Sequence, residues 1–382
     1  MMVRRGLWVL ALCSVALGGC GGGDDSERPA PSPPRWEHDG SYPVGTSIFE
    51  LVDTARARTL RVEVWYPAVE AARADAKSGE PIEQLVPEGA DRDAYAGLLA
   101  AAPAECPTRR TASARDPEPA DLDTFPLVVF SHCHDCLRFS GLSIAQRLAS
   151  HGIAVAAPDH TDNTLFDELN GTAVPLSKEF LQTRALDVRF VLDVLLAGTD
   201  ANIPDALRGR FDTSRVGVLG HSFGGVTTGL VLEDDPRPVA GMSIAAPVQN
   251  PLLPGVTLAN VQKPLLFLVA KEDNSITEIG NNLIRDNFAD ANPPVWKLEV
   301  DDAGHWSFSD VCGLTDGFSP GCGEGTRQTV PGETFQYLPV KSGLQIASST
   351  AAAFFSAELF GDPQALSYLA KPQDGVSVEV RE

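Results

Sequence analysis

The chain has 382 residues, 43% of them hydrophobic, and carries 51 acidic against 30 basic side chains, a net charge of -21. That length accommodates one large α/β domain with insertions, and the apolar content is enough for a substantial core. The acidic balance argues against nucleic acid or anionic lipid headgroups as partners.

The first stretch, "MMVRRGLWVLALCSVALGGC", has Arg4 and Arg5, an apolar run over 7–17, then small residues. A charged start, a short apolar core and a small-residue exit read as an export signal over 1–19, and the run is too short to span a bilayer. The ending "LGGC" resembles the bacterial lipoprotein signal, which implies lipidation of Cys20. Gly21 after it leans towards an outer membrane, if the cell has one. Residues 20–40, with "GGGDDSERPAPSPP", read as a flexible tether, leaving 41–382 as one domain. The expected location is the cell envelope, held through the lipid, or the exterior.

Residues 42–67 include "RTLRVEVWYP", whose alternation predicts antiparallel strands at a sheet edge. Residues 68–124, rich in Ala, Pro and charge, read as an insertion with a short helix near 94–101. From Phe125 onwards the rhythm changes. "LVVF" (127–130), "IAVAA" (153–157), "RVGVLG" (215–220), "VAGMSIAA" (239–246), "PLLFLVA" (264–270) and "VWKLEV" (295–300) are apolar runs of buried strands. Helical stretches separate them. In one, Leu181, Ala185, Val188, Leu192 and Leu195 step by fours and threes. A closing helix is predicted over 342–360. Strands alternating with helices make a mostly parallel sheet covered on both faces, with ligands bound beyond the carboxyl ends of the strands.

The chemistry follows those ends. After the 215–220 strand stands "GHSFGG", a G-x-S-x-G turn that presents Ser222 at the sheet's edge. A serine hydroxyl needs a base, and the base needs an orienting acid. "KEDNSIT" follows the 264–270 strand and offers Asp273, with Glu272 as the alternative. "DDAGHWSFSD" follows the last strand and offers His305. The order Ser222, Asp273, His305 is that of α/β hydrolases.

"SHCHDC" (131–136) follows the 127–130 strand and admits a metal reading through His132, Cys133, His134 and Cys136. Ligands so close in sequence rarely wrap one ion, so a disulfide is the preferred reading. Seven cysteines are present; "CGLTDGFSPGC" predicts a bridge between Cys312 and Cys322. The pairing of Cys106, Cys133 and Cys136 stays open, a bridge between any two of them being able to stiffen the 131–136 loop.

With "PVG" (43–45), "VWYP" (64–67), "VVFSH" (128–132), "LASHGIAVAAPDHTDNT" (148–164), "GHSFGG" and "GHWSFSD" (304–310), the chain resembles bacterial relatives of platelet-activating factor acetylhydrolase, often grouped as predicted dienelactone hydrolases. The resemblance covers about 41–360 and implies the α/β-hydrolase fold and a cofactor-free serine esterase acting on a small-molecule or lipid ester; the alternatives are a lipase, phospholipid acetylhydrolase or polyester hydrolase on the same triad, or a non-catalytic envelope binding protein that keeps the fold. It also implies that backbone N–H groups of His134 and Phe223 form the oxyanion hole. Two features depart from that pattern. The strand after the elbow ends in "SIAAPVQ" without a carboxylate, which moves the acid to Asp273, and Cys133 stands where relatives usually have glycine.

Overall fold

The computed structural model describes residues 35–382; the expected signal, the lipidation cysteine Cys20 and most of the tether lie outside the described residues. The strands are β1 (Val44–Asp53), β2 (Arg58–Pro67), β3 (Ala114–Arg115), β4 (Phe125–Ser131), β5 (Ala154–Pro158), β6 (Phe211–His221), β7 (Pro238–Ile244), β8 (Leu265–Ala270), β9 (Val295–Val300), β10 (Glu324–Thr326), β11 (Thr334–Gln336) and β12 (Val376–Arg381). The helices are α1 (Arg73–Ser78), α2 (Ala90–Ala101), α3 (Leu142–Ser150), α4 (Leu165–Leu169), α5 (Lys178–Ala197), α6 (Phe223–Asp234), α7 (Thr277–Asp290), α8 (Val340–Phe360) and α9 (Pro363–Leu369).

Ten strands form one sheet in the order β12-β9-β8-β7-β6-β4-β5-β2-β1-β3, and β10 pairs with β11 apart from it. The run from β5 through β4, β6, β7 and β8 to β9 is parallel. The β1–β2 hairpin joins it antiparallel through β2 and β5, as the alternation in 42–67 predicts. At the far edge β12 pairs antiparallel with β9, a strand the sequence reading did not include.

The central strands are buried on both faces. Val128 and Phe130 enter one apolar layer with α3 and α8, while Leu127 and Val129 enter the other with α5 and α6. The same alternation splits Leu266 and Leu268 from Leu265 and Phe267, as a side-chain period of two requires. The stripe Leu181, Ala185, Val188, Leu192 and Leu195 is buried in the second layer, which seats α5 on the sheet. The 68–124 insertion holds α1 and α2 and packs on the body. Its Tyr95 is fully buried edge-on to Phe139, with ring centroids 5.6 Å apart.

Candidate active site

Ser222 occupies the single residue between β6 and α6, at φ 55° and ψ -122°. A non-glycine residue seldom adopts positive φ, and here the neighbours hold it. Its N–H donates to the Ile244 carbonyl on β7 at 2.9 Å, and its carbonyl accepts from Gly225 at 2.8 Å. The turn is tight enough that a Cβ on Gly220 would strike the Gly224 backbone, and one on Gly224 would strike the Ser131 carbonyl. Two glycines are therefore required by contact, and the strained serine between them stands at the carboxyl end of the sheet.

Asp273 and His305 arrive on the turns after β8 and β9. His305 Nδ1 lies 2.7 Å from Asp273 Oδ2. The other carboxylate oxygen accepts from the N–H groups of Ser275 at 2.9 Å and Ile276 at 3.0 Å, which locks its orientation. Donation from Nδ1 leaves the Nε2 lone pair of His305 free to act as a base. Glu272 faces the other way, accepting from Gln328 N–H at 2.8 Å and Thr329 Oγ1 at 2.5 Å, so Asp273 alone reaches the histidine. His221, fully buried, has its Nε2 2.9 Å from the His305 carbonyl and fixes that backbone. Burial, with the His305 ring beside it, pushes His221 down to about 3, so it stays neutral and donates.

Ser222, His305 and His134 line one cavity of about 1000 Å³. Among the described residues no hydrogen bond joins the Ser222 and His305 side chains, a looseness common in resting sites. Leu98 and Ala102 from the insertion, Leu169 and Leu176 from the segment after β5, and Trp306 and Phe318 from the loop after β9 supply apolar walls. The charged groups lining it are Asp135, Glu168 and Asp316; no lysine or arginine lines it among the described residues.

The 131–136 loop runs beside the Ser222 turn. Cys133 is bridged to Cys136, with Cα atoms 5.2 Å apart. The bridge closes the loop around His134 and Asp135, and the Cys136 carbonyl accepts from Leu165 at 3.1 Å. Among the described residues neither the His134 nor the Phe223 N–H has an acceptor; Phe223 opens α6, where N–H groups lack helical partners. Two free donors thus flank Ser222.

The expected Cys312–Cys322 bridge does not form. Cys322 is bridged to Cys106 of the insertion, with Cα atoms 5.9 Å apart, and Cys312 is a free, buried thiol. The 312–322 segment folds as consecutive tight turns. Gly313, at φ 71°, packs against the Cys106–Cys322 bridge while Cys312 turns into the apolar core. Burial raises its thiol above the ordinary range. The bridge therefore ties the insertion to the loop that carries His305. Asp310 adds a second tie, accepting from Thr108 Oγ1 and Ser143 Oγ at 2.6 Å each. Burial pushes Asp310 up to about 6 in spite of those bonds.

The sequence reading passed over Arg184 and Asp187, which are fully buried near the site. The signal was present: Arg184 lies three residues after Leu181 and four before Val188, on the buried face of α5.

The chain has the α/β-hydrolase fold, with Ser222, Asp273 and His305 brought to the carboxyl end of its sheet. Residues 34–169 match the family described as platelet-activating factor acetylhydrolase, isoform II, and residues 125–309 match the dienelactone hydrolase family. Platelet-activating factor acetylhydrolase of Bos taurus is 26% identical over 182 residues, covering 38% of this chain and 40% of that one. A probable 1-alkyl-2-acetylglycerophosphocholine esterase of Arthroderma benhamiae is 26% identical over 248 residues, covering 63% of this chain and 62% of that one. The chain thus spans two fifths of the mammalian relative's length. Among solved structures, a ferulic acid esterase from Streptomyces cinnamoneus superposes with a TM-score of 0.65 at 26% identity, covering 88% of this chain and 96% of that one.

Proposed function

We propose that the chain cleaves uncharged carboxylic esters through an acyl-enzyme on Ser222. His305 Nε2 takes the Ser222 proton as Oγ attacks the ester carbonyl, and the carbonyl oxygen becomes an oxyanion held by the N–H groups of His134 and Phe223. Collapse expels the alcohol, which leaves with the proton from His305. Water then attacks the acyl-enzyme by the same steps, with His305 as base and then acid. Asp273 orients the imidazole and balances its charge in the transition state. Donors of this kind are worth about 3 kcal/mol each.

The observation that carries the reading is the 2.7 Å His305–Asp273 contact at the cavity onto which the strained Ser222 opens. The apolar walls and the three lining carboxylates favour uncharged esters over anionic ones. The acetylhydrolase and ferulic acid esterase likenesses support ester substrates of lipid or aromatic kind. Export, with a lipid on Cys20 as the membrane tether, is part of the same proposal; it rests on the residues of 1–20 and is supported by two cysteine pairs in bridging geometry.

The test is hydrolysis of p-nitrophenyl esters from acetyl to decanoyl, and of methyl ferulate, by wild type and Ser222→Ala, with and without a chelator. Turnover that is lost in the variant and indifferent to chelation is the expected result. Turnover that survives Ser222→Ala, or an unlabelled Ser222 after treatment with a serine-directed phosphonate, overturns it.

A further inference from the structure

The oxyanion loop rests on a buried cation. Arg184, on α5, is fully buried. Its Nη1 donates to the Cys133 carbonyl at 3.4 Å and to Asn163 Oδ1 at 2.7 Å. Its Nη2 donates to Ser131 Oγ at 3.0 Å and to the His132 carbonyl. The guanidinium also stacks over the Phe223 ring, 4.6 Å from its centroid. One side chain therefore touches both the 132–133 backbone and the ring of the residue that follows Ser222. Burial pushes Arg184 down to about 9, with Asp187 and Asp135 opposing, so it is cationic at neutral pH.

Peptide geometry turns this contact into an orientation. In a trans peptide the carbonyl of one residue and the N–H of the next point in opposite directions. The Cys133 carbonyl and the His134 N–H belong to one such unit. That carbonyl is held from two sides, by Arg184 and by His132 Nδ1 at 2.7 Å. The His132 tautomer follows, since its Nε2 accepts from the His160 N–H at 3.0 Å, which leaves Nδ1 as the donor. With the carbonyl fixed inward, the His134 N–H faces outward, without an acceptor, on the side of the cavity. A second tie reaches the same residue: Asn163 Nδ2 donates to Asp135 Oδ1 at 3.0 Å, and His134 Nδ1 lies 2.5 Å from Asp135 Oδ2.

We propose that Arg184 is a positioning residue that aims the His134 N–H, and seats Phe223, for the oxyanion of the proposed ester hydrolysis; the proposal rests on that reading. The fork is what the site demands. Two separate nitrogens serve acceptors on two strands of contact, and a single ammonium cannot reproduce this.

The test compares Arg184→Lys and Arg184→Met with wild type on p-nitrophenyl acetate and its thionoester, in which sulfur replaces the carbonyl oxygen. Sulfur is a weak acceptor, so the thionoester draws little from the oxyanion hole. Loss of one donor reduces kcat by about 100- to 1000-fold; a misaimed donor is expected to reduce kcat on the oxo-ester by about tenfold to 100-fold, with KM within about threefold. The oxo-to-thiono ratio of kcat/KM should fall by the same factor, and Lys should retain more activity than Met. Equal losses on both esters, or an unchanged kcat in a folded variant, overturn the proposal. Should both variants fail to fold, Asn163→Ala, which loosens the Arg184–Asp135 tie without stranding a charge, should lower the ratio by about threefold; an unchanged ratio there overturns the proposal too. Active wild type and dead Ser222→Ala with unaffected Arg184 variants would refute the positioning role alone, whereas an active Ser222→Ala would refute the hydrolase reading itself.

Discussion

The protein contains two serine–histidine–aspartate arrays with opposite surroundings. In one, His305 Nδ1 sits 2.7 Å from Asp273, and Ser222 stands beside it at positive φ on a cavity. In the other, His160 Nδ1 sits 3.0 Å from Asp187 and His160 Nε2 sits 2.9 Å from Ser131 Oγ. The second array is a complete hydrogen-bonded chain, yet it lies in the interior, with all three residues buried. Ser131 ends β4 in ordinary strand backbone and receives a bond from Arg184, while Asp187 receives Arg56 at 2.8 Å and Arg58 at 2.9 Å. Every side-chain donor and acceptor of Ser131, His160 and Asp187 is used. The open array keeps an unpaired serine, a free imidazole lone pair and two unpaired N–H groups. Chemistry requires those vacant valences and access for a substrate, more than it requires the three residue types; a satisfied array is a fastening.

The comparison breaks first at the open array. Ser222→Ala should lower kcat/KM for p-nitrophenyl esters by at least about 10⁴-fold with little change in Tm. Asp273→Asn should come next, at about 10³- to 10⁴-fold, because the amide can present the wrong group to Nδ1 and favour the wrong tautomer. If either variant keeps wild-type kcat/KM, the two arrays have been assigned the wrong way round.

The sealed array should respond in stability. Burial, with Arg184 nearby, lowers His160 to about 4 from its ordinary 6.5, Asp187 opposing. Between those values the unfolded chain binds a proton that the folded chain refuses, so His160 makes the protein less stable as pH falls. His160→Asn removes that dependence. The wild-type stability minus that of the variant should therefore shrink by up to about 3 kcal/mol from pH 7 to pH 4, read from urea denaturation at each pH. A constant difference would show that His160 is not held neutral. Ser131→Ala should follow, costing about 1–3 kcal/mol by leaving His160 Nε2 and Arg184 short of a partner, with kcat/KM within about tenfold of wild type. A loss near that of Ser222→Ala would make the interior array part of the chemistry.

The open array was legible because each of its members follows an apolar strand, and strand order in a parallel sheet brings such turns to one edge. Ser222 and His305 could be read from local pattern; the acid could be read only as Asp273 or Glu272, which the structure tells apart. The sealed array was not: Ser131 and His160 also stand at strand ends, on β4 and after β5, but Asp187 hides among the apolar residues of α5. Polar groups that satisfy one another across 27 residues leave no periodic trace. The cysteines failed for a related reason. Cys312 and Cys322 are close in sequence, but the Cys106–Cys322 pairing spans 216 residues and depends on where the insertion lands. The edge strand β12 and helix α9 fall after the predicted closing helix; the alternation of β12, "VSVEVR", is regular, but it is only six residues long and the sequence reading did not include it.

The smallest effect is expected at the link between the two arrays, the 131–136 loop. Its disulfide spans only three positions in sequence, and closing so short a loop removes little freedom from the unfolded chain, about 2 kcal/mol by loop entropy. The loop has other holds: Arg184 on the carbonyls of His132 and Cys133, His132 on Cys133, and Leu165 on Cys136. Both sulfurs are also buried, so a thiolate reductant reaches them slowly. A Cys133→Ala and Cys136→Ala double variant should therefore lose at most about 2 kcal/mol and keep kcat within about threefold of wild type. If kcat instead falls by a hundredfold while Arg184 variants are mild, the disulfide aims the His134 N–H and the buried cation merely fills space beneath it. If both are severe, a double-mutant cycle decides: non-additive losses place bridge and guanidinium in one device acting on one peptide unit, and additive losses separate them.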